Sequence, residues 1–499
     1  MNIQDNSKET TFTLESVEIQ QSRINIRWKT DPASKLYRRT NCSLVFPEEV
    51  NLHVLPAGLV ERTVLMLLYP HWAILAPCKI KLPFKIHDGE RLAWSRLAEN
   101  QWNSVQFHSG RKKEKLKFSW DYSGEMLSRS PAPVNGEGCA TAFSGGKDSL
   151  FQTGFLMEQG ESPLLVTTIA PPPEVHPRRL YVYDQVQHRT GLPLIKVQTD
   201  YRSSCHNLYP REQGLTQAVN ELTDVLLYTA CLILAAAVKN INRLYVASEL
   251  EVQTAVKIDE TLVTHPHAMY NVTTLKTLQR ILEPYNISIS SLTAPLQTMQ
   301  IQQTLWKEWP KLRDMQTSCW SMTPDEPMCN KCGQCLRITL CSLEAGFDPA
   351  EMGGDAAKNL AAVESWKKIR AAAENKQQLL PDTITRQLLY RQTLHATGSI
   401  GLPRLFFCFL KKPSYVLHPV ALWKAACNTI RLWALSRNVR MPELGTFADA
   451  FLDFVDKTEK NNLRSFLEER YSAGRQSHPG NRFSQYTLEA IDWCTEELK

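Results

Sequence analysis

Apolar and polar residues alternate with the period of a strand at three places in the first quarter of the chain. Ile24, Ile26 and Trp28 alternate with Arg23, Asn25, Arg27 and Lys29; Cys78, Ile80, Leu82, Phe84 and Ile86 with Lys79, Lys81, Pro83 and Lys85; and Leu116, Phe118, Trp120 and Tyr122 repeat the pattern. A period of two puts one face against a core and the other in water, so three half-buried strands are predicted. Residues 1–125 therefore read as a β-rich accessory domain. Its Lys-rich outer faces read as edges guarded by lysine, with docking of an acidic partner as the alternative. Ser128 to Gly138, rich in Pro, Gly and Ser, reads as part of a linker over 126–138.

Beyond the linker the pattern changes. Cys139 to Phe143, Leu164 to Ile169, Leu194 to Val197, Leu244 to Ala247 and Ile287 to Leu292 are strand candidates, short β-rich runs separated by helix-length segments. That alternation predicts an α/β fold with a parallel sheet covered on both faces, over residues 139–350. Val225 to Val238 is the longest apolar stretch and is shorter than the roughly 20 residues a membrane span needs, so it reads as a buried helix. From Gly353 onward the chain reads as helical and mixed in charge. There Trp366, Ile369, Trp423, Ile430, Trp433, Phe451, Phe454 and Trp493 are spaced as helix-core residues, and 351–499 reads as a helical accessory domain.

Composition narrows the class. The 499 residues are 43% hydrophobic, ample for packed cores, and 57 basic against 51 acidic residues give a net charge of +6. So mild an excess does not argue for general nucleic-acid binding. Met1 to Asp5 carries no basic-then-apolar signal pattern, and Cys42, Cys78, Cys205 and Cys494 are scattered as free thiols would be; both point to the cytoplasm.

Two clusters carry chemistry. The first is Ser144-Gly145-Gly146-Lys147-Asp148-Ser149, directly after a strand candidate and before a helix-like segment. Two glycines let backbone N–H groups close round an anion, the helix adds its positive end, and Ser144 and Ser149 can donate hydroxyls. Asp148 beside phosphate makes sense if it helps hold Mg2+ on a polyphosphate. The spacing differs from a Walker A loop. In a parallel sheet, ligands bind at the carboxyl ends of the strands, so Thr167, Thr168, Asp200, Ser248 and Glu249 are further candidates for adenine, ribose or substrate contacts. His265 and His267 read as a polar surface pair.

The second cluster is Cys319, Cys329, Cys332 and Cys335. Overlapping Cys-x-x-Cys steps bring three sulfurs to one ion, Gly333 eases the turn between them, and Cys319 closes four-coordination. Four thiolates leave no open position, which makes a site for Zn2+ structural; an iron–sulfur cluster shares the spacing.

The glycine turn resembles the PP-loop of the ATP pyrophosphatases, and the two clusters together resemble the QueC (7-cyano-7-deazaguanine synthase) family, over about residues 137 to 350. Ile287 to Leu296, Gln316 to Trp320 and Leu343 to Pro349 resemble its late strand, its entry to the zinc loop and its exit. The resemblance implies an adenine nucleotide alpha hydrolase-like fold and a cytoplasmic C–N ligase that cleaves ATP to AMP and pyrophosphate. It implies ATP on Ser144 to Ser149, with Lys147, Asp148 and Ser149 in catalysis, Mg2+ on the phosphates and Zn2+ on the four cysteines. Two segments depart from the family. No Lys falls in Gln297 to Gln303, where one is expected, and Ala170 to His176 replaces a polar Asp-Tyr-Gly-Gln-Arg-His segment.

Long flanking regions are similar in layout to QueC-like proteins of bacterial antiviral systems of the Qat and CBASS kinds. That branch implies joining a 7-deazaguanine to the N-terminus of a partner protein from the same operon. The alternatives are a free synthase using ammonia, a tRNA-modifying enzyme with Arg111-Lys112-Lys113 on phosphate, and a non-catalytic assembly protein.

Overall fold

The computed structural model describes residues 9–75, 77–110, 116–129, 131–171, 177–205, 219–265, 271–317, 319, 326–363, 366–374, 381–410, 419–437, 439–441, 444, 446–473 and 479–498. Ten strands form one sheet. From one edge they run β12 (Ser288–Ser290), β9 (Arg243–Tyr245), β6 (Cys139–Ala142), β7 (Leu164–Ile169) and β8 (Leu194–Thr199), then β3 (Asn41–Val45), β2 (Arg23–Asp31), β1 (Thr10–Ile19), β4 (Cys78–Leu82) and β5 (Phe118–Tyr122). The first five are mutually parallel, the pairings β8–β3–β2–β1 are antiparallel, and β1–β4–β5 return to parallel.

Burial follows this geometry. β6 is buried along its whole length, as a strand with helices on both faces must be, whereas β2 alternates as the period-two pattern requires. The helix Val219–Val238 packs beneath the sheet, with Leu226, Leu227 and Ala230 to Ala236 almost free of solvent. Among the described residues no helix is long and apolar enough to cross a membrane.

Residues 1–125 are not set apart by packing. β3 pairs with β8 through Leu44↔Thr199 and Val45↔Gln198, and one apolar cluster runs from Phe12 and Trp28 through Trp72 and Leu227 to Ile289. Nor is this region built of strands alone, since α1 (Leu59–Leu75) and α2 (Asp88–His108) make up much of it. Both helices escape a periodicity reading for physical reasons. α1 is buried on nearly every side and so shows no apolar stripe, and α2 buries Asn100, Gln101, Asn103, Ser104 and Gln106 where a stripe would be apolar. The segment 131–138 is anchored at two points: Val134 N–H donates to Tyr285 O, and a Cβ on Gly136 would fall 1.6 Å from Asn240 O.

The core of the N-terminal half holds a closed polar network. His71, fully buried on α1, meets the Tyr37 hydroxyl at 3.0 Å through Nδ1 and the Tyr201 hydroxyl at 2.9 Å through Nε2. Tyr201 donates to Leu67 O at 2.6 Å. Burial pushes the imidazole down to about 3, so it stays neutral.

The described residues of 351–499 are mainly helical and include one two-residue parallel strand pair, Thr446–Phe447 with Ser472–Ala473. Ile369, Phe451 and Phe454 are core residues as expected. Trp423 and Ile430 are not: they are 72% and 47% exposed on the outer face of the helix Pro419–Ser436. Trp366 and Trp433 are half-buried beneath Arg431 and Arg437. His265 is buried rather than on the surface.

Candidate functional site

The chain leaves β6 at Ala142 and turns through Phe143, Ser144, Gly145 and Gly146 into α3 (Lys147–Glu158), at the carboxyl end of the parallel strands. Gly145 has φ +74°, and a Cβ there would lie 2.8 Å from Thr317 Oγ1. Glycine is thus required by backbone conformation and by close approach. Gly146 is the N-cap and offers no side chain, so no N-cap hydrogen bond closes the helix start; Ser144 Oγ instead accepts from Gly146 N–H at 3.3 Å. The Ser149 hydroxyl donates to Gly146 O at 3.0 Å. Positive helix end, glycine turn and the Ser144 hydroxyl form a corner whose donors could receive an anion.

Lys147 is 7% exposed, and its ammonium contacts both Asp148 carboxylate oxygens at 2.7 and 2.6 Å and Glu249 Oε1 at 3.9 Å. Burial alone would depress the ammonium, but Asp148 and Glu249 hold it above its ordinary range. Burial raises the Asp148 carboxyl to about 6 against the pull of Lys147, with Glu249 adding to the rise. Behind them, burial and then the Glu249 charge raise Glu251 to about 7. Its Oε1 accepts from Thr298 N–H at 2.8 Å and from Gln392 Nε2, while its buried Oε2 has no partner. Gln392 belongs to the helix Pro381–Ile400, so the C-terminal region reaches the floor of the site.

The other candidates divide. Thr167 and Thr168 lie buried at the carboxyl end of β7, facing the phenols of Tyr183 and Tyr228. Ser248 is committed to structure: its N–H donates to Ser291 and Thr293 hydroxyls and its Oγ accepts from Gln253 at 2.6 Å. Asp200 sits at the seam of the sheet, accepting from Ser43 N–H at 2.8 Å and pairing with Arg39 at 3.1 Å, so it stitches strands rather than facing the glycine turn. Pro172 to His176, Arg111 to Lys113, His267, Ser318 and Trp320 lie outside the described residues.

The sequence reading missed several charged groups. Arg337, on the helix Gly333–Glu344, acts on Lys147 as a second positive charge and has a buried Nε without a hydrogen-bond partner. Its signal was an Arg two positions after Cys335. Tyr228 is a further case. Burial would raise its phenol, yet Arg202 and Arg179 bring it below its ordinary range. In the stretch without a Lys, Gln297 caps the helix Thr298–Glu308 through a reciprocal pair with Gln300 and accepts from Gln392 at 3.0 Å.

The four cysteines meet. The sulfurs of Cys319, Cys329, Cys332 and Cys335 all lie within 4.8 Å of one another, with Cys329···Cys335 at 3.7 Å and Cys332···Cys335 at 3.5 Å. These edges are too long for a disulfide and close to the roughly 3.8 Å that four Zn–S bonds of about 2.3 Å impose on a tetrahedron. The residues fit one metal ion such as zinc; an iron–sulfur cube would hold its ligands farther apart. Gly333 does not make the tight turn. Asn330 does, with φ +54°, and its side chain ties the knuckle to Met328 O, Gly353 O and Asp355 N–H. Gly333 instead opens the helix that Cys332 caps, its sulfur accepting from Cys335 N–H at 3.4 Å.

The two clusters touch through Thr317, two residues before Cys319. Its N–H donates to Gly145 O at 2.8 Å and its hydroxyl to Ser144 O at 3.4 Å. The glycine turn is therefore held from outside by the strand of chain that leads into the cysteine site. No protein family, curated protein or solved structure matches the chain.

Proposed function

We propose that the chain is an ATP-dependent QueC-like ligase that activates a carboxylate or amide oxygen on a 7-deazaguanine as its adenylate and then joins the base to an amine. The observation that carries this reading is the Thr317–Gly145 hydrogen bond, which joins in one site the two clusters on which the resemblance rests. The substrate oxygen attacks the α-phosphorus of ATP, the bond to the α–β bridging oxygen breaks, and pyrophosphate leaves. The amine nitrogen then attacks the activated carbon and loses a proton as the carbon–oxygen bond to AMP breaks. AMP is a good leaving group where a bare carboxylate oxygen is not.

The chain's own residues receive the departing charge. The amides at the start of α3, the Ser144 and Ser149 hydroxyls and Lys147 face it, with Arg337 as a further positive charge behind. Asp148 and Glu249 fit Mg2+, since the pair already holds the Lys147 ammonium between them. When bound, the metal neutralises charge across the phosphates. Cys319, Cys329, Cys332 and Cys335 would hold zinc with no open position, so its contribution would be structural, and the chain leading into them fixes Thr317 against the turn. The amine is read as the N-terminus of a partner protein, because the flanking regions exceed what a free synthase requires.

The test is mass spectrometry of the full chain with Mg-ATP and 7-carboxy-7-deazaguanine, with ammonium or with a co-expressed neighbouring protein as amine source. AMP and pyrophosphate with an amide, nitrile or base-modified protein are expected. Absence of AMP with every amine source contradicts the reading.

A further inference from the structure

A separate cleft of about 620 Å3 opens between α2, the hairpin of β10 (Ala255–Ile258) and β11 (Thr261–Thr264), and the C-terminal helix Pro479–Thr495 with the turn that follows. Five carboxylates line it: Glu99, Glu260, Glu489, Asp492 and Glu496. Two cations already sit at its rim. Lys257 reaches Glu260 at 3.1 Å and Glu489 at 3.2 Å, and Arg96 reaches Glu496 at 3.3 Å. Lys257 is shared by two carboxylates, and Asp492 has no cation partner among the described residues. A concave wall of one sign concentrates its field on whatever enters.

A second observation comes from Asn103. It lines the cleft yet is only 6% exposed, and its side-chain amide has no protein hydrogen-bond partner among the described residues. Its amide, reached by solvent only slightly, can accept from a donor that a ligand in the cleft supplies. The ligand is not a single metal ion. Among the described residues the cysteine cluster is the only group of three or more His, Cys, Asp or Glu placed to hold a metal ion, so these carboxylates are too dispersed to close on one ion. Dispersed acids call for a cation whose charges are spaced along a chain, and Leu262 and the Trp493 side chain give methylenes an apolar wall.

We propose that this cleft binds an extended alkylammonium chain, supplied by a free polyamine or by lysine side chains of a partner polypeptide. It is remote in chemistry from the anion-receiving corner and independent of the ATP reading.

Calorimetric titration of the full chain with spermidine, with an end-blocked Lys-Ala-Lys-Ala-Lys peptide and with Mg2+ tests it. Saturable single-site binding of spermidine or the peptide is expected, weakened about fivefold by Asp492→Asn and similarly by Asn103→Ala, and weaker in high salt. Preference for spermidine assigns the free amine, and preference for the peptide assigns a partner segment. Asp492 is exposed, so Asp492→Asn keeps the test valid if Asn103→Ala disturbs folding. No saturable binding of either ligand, binding unchanged in Asp492→Asn, or equal binding of Mg2+ overturns the proposal.

Discussion

The two halves of the sheet share a core and end in opposite ways. In the half from β3 to β5, Tyr37, His71, Tyr201 and the Leu67 carbonyl form a closed set, and the buried atoms left without a partner, Trp28 Nε1, Trp72 Nε1 and the Gln101 amide among them, belong to neutral side chains. In the half from β12 to β8, the strands end in unfinished chemistry. No N-cap hydrogen bond closes α3, Lys147 lies between Asp148 and Glu249, and Glu251 and Arg337 each keep a buried polar atom without a partner. A closed network makes a rigid core, whereas polar groups left open at strand ends mark where a charged ligand completes the set.

Substitutions can break this contrast, and metal loss has the largest expected effect. Cys329→Ser should drop bound zinc, measured by elemental mass spectrometry, from about one per chain to near zero and lower the melting temperature, because metal binding to such sites supplies folding free energy. Asp148→Ala should cut pyrophosphate release at least a hundredfold while the fold persists at a somewhat lower melting temperature, since Lys147 loses its nearer partner and keeps Glu249. Thr317→Val should cost about tenfold in turnover while zinc is retained, which separates the tie to the turn from the metal itself.

The pH dependence of stability also separates the halves, with opposite signs. Glu251 rises to about 7 in the folded chain from about 4.3 unfolded, so the native state binds more protons between those values. Its contribution is full below about pH 4.3 and is lost as pH climbs to about 7, by at most about 1.4 kcal/mol per pH unit. In urea unfolding, Glu251→Gln should therefore gain stability relative to the parent as pH rises through that window. His71, held near 3 against about 6.5 unfolded, acts the other way: its contribution is lost as pH falls from about 6.5 toward 3.

What the sequence revealed follows from which signals are local. The parallel strands were legible because short β-rich runs separated by helix-length segments have few other solutions, and β6 to β9 lie where those runs fall. The glycine turn and the cysteines were legible because each is contiguous or nearly so. α1 and α2 were hidden by their burial patterns, and the union of the two halves rests on a short antiparallel contact that no local period encodes. Arg337, Gln392 and Thr317 act at the site through tertiary approach, so spacing alone could not select them. Asp200 shows the converse: a residue in the right place on a strand end can be spent on stitching.

The most direct measurement is 31P NMR of the full chain with Mg-ATP and 7-carboxy-7-deazaguanine, comparing the parent with Asp148→Ala. AMP and pyrophosphate signals in the parent, absent in Asp148→Ala, are the expected result. ADP with inorganic phosphate, or equal turnover by the two proteins, would contradict the assignment of Ser144 to Ser149 as the site of α–β phosphate cleavage.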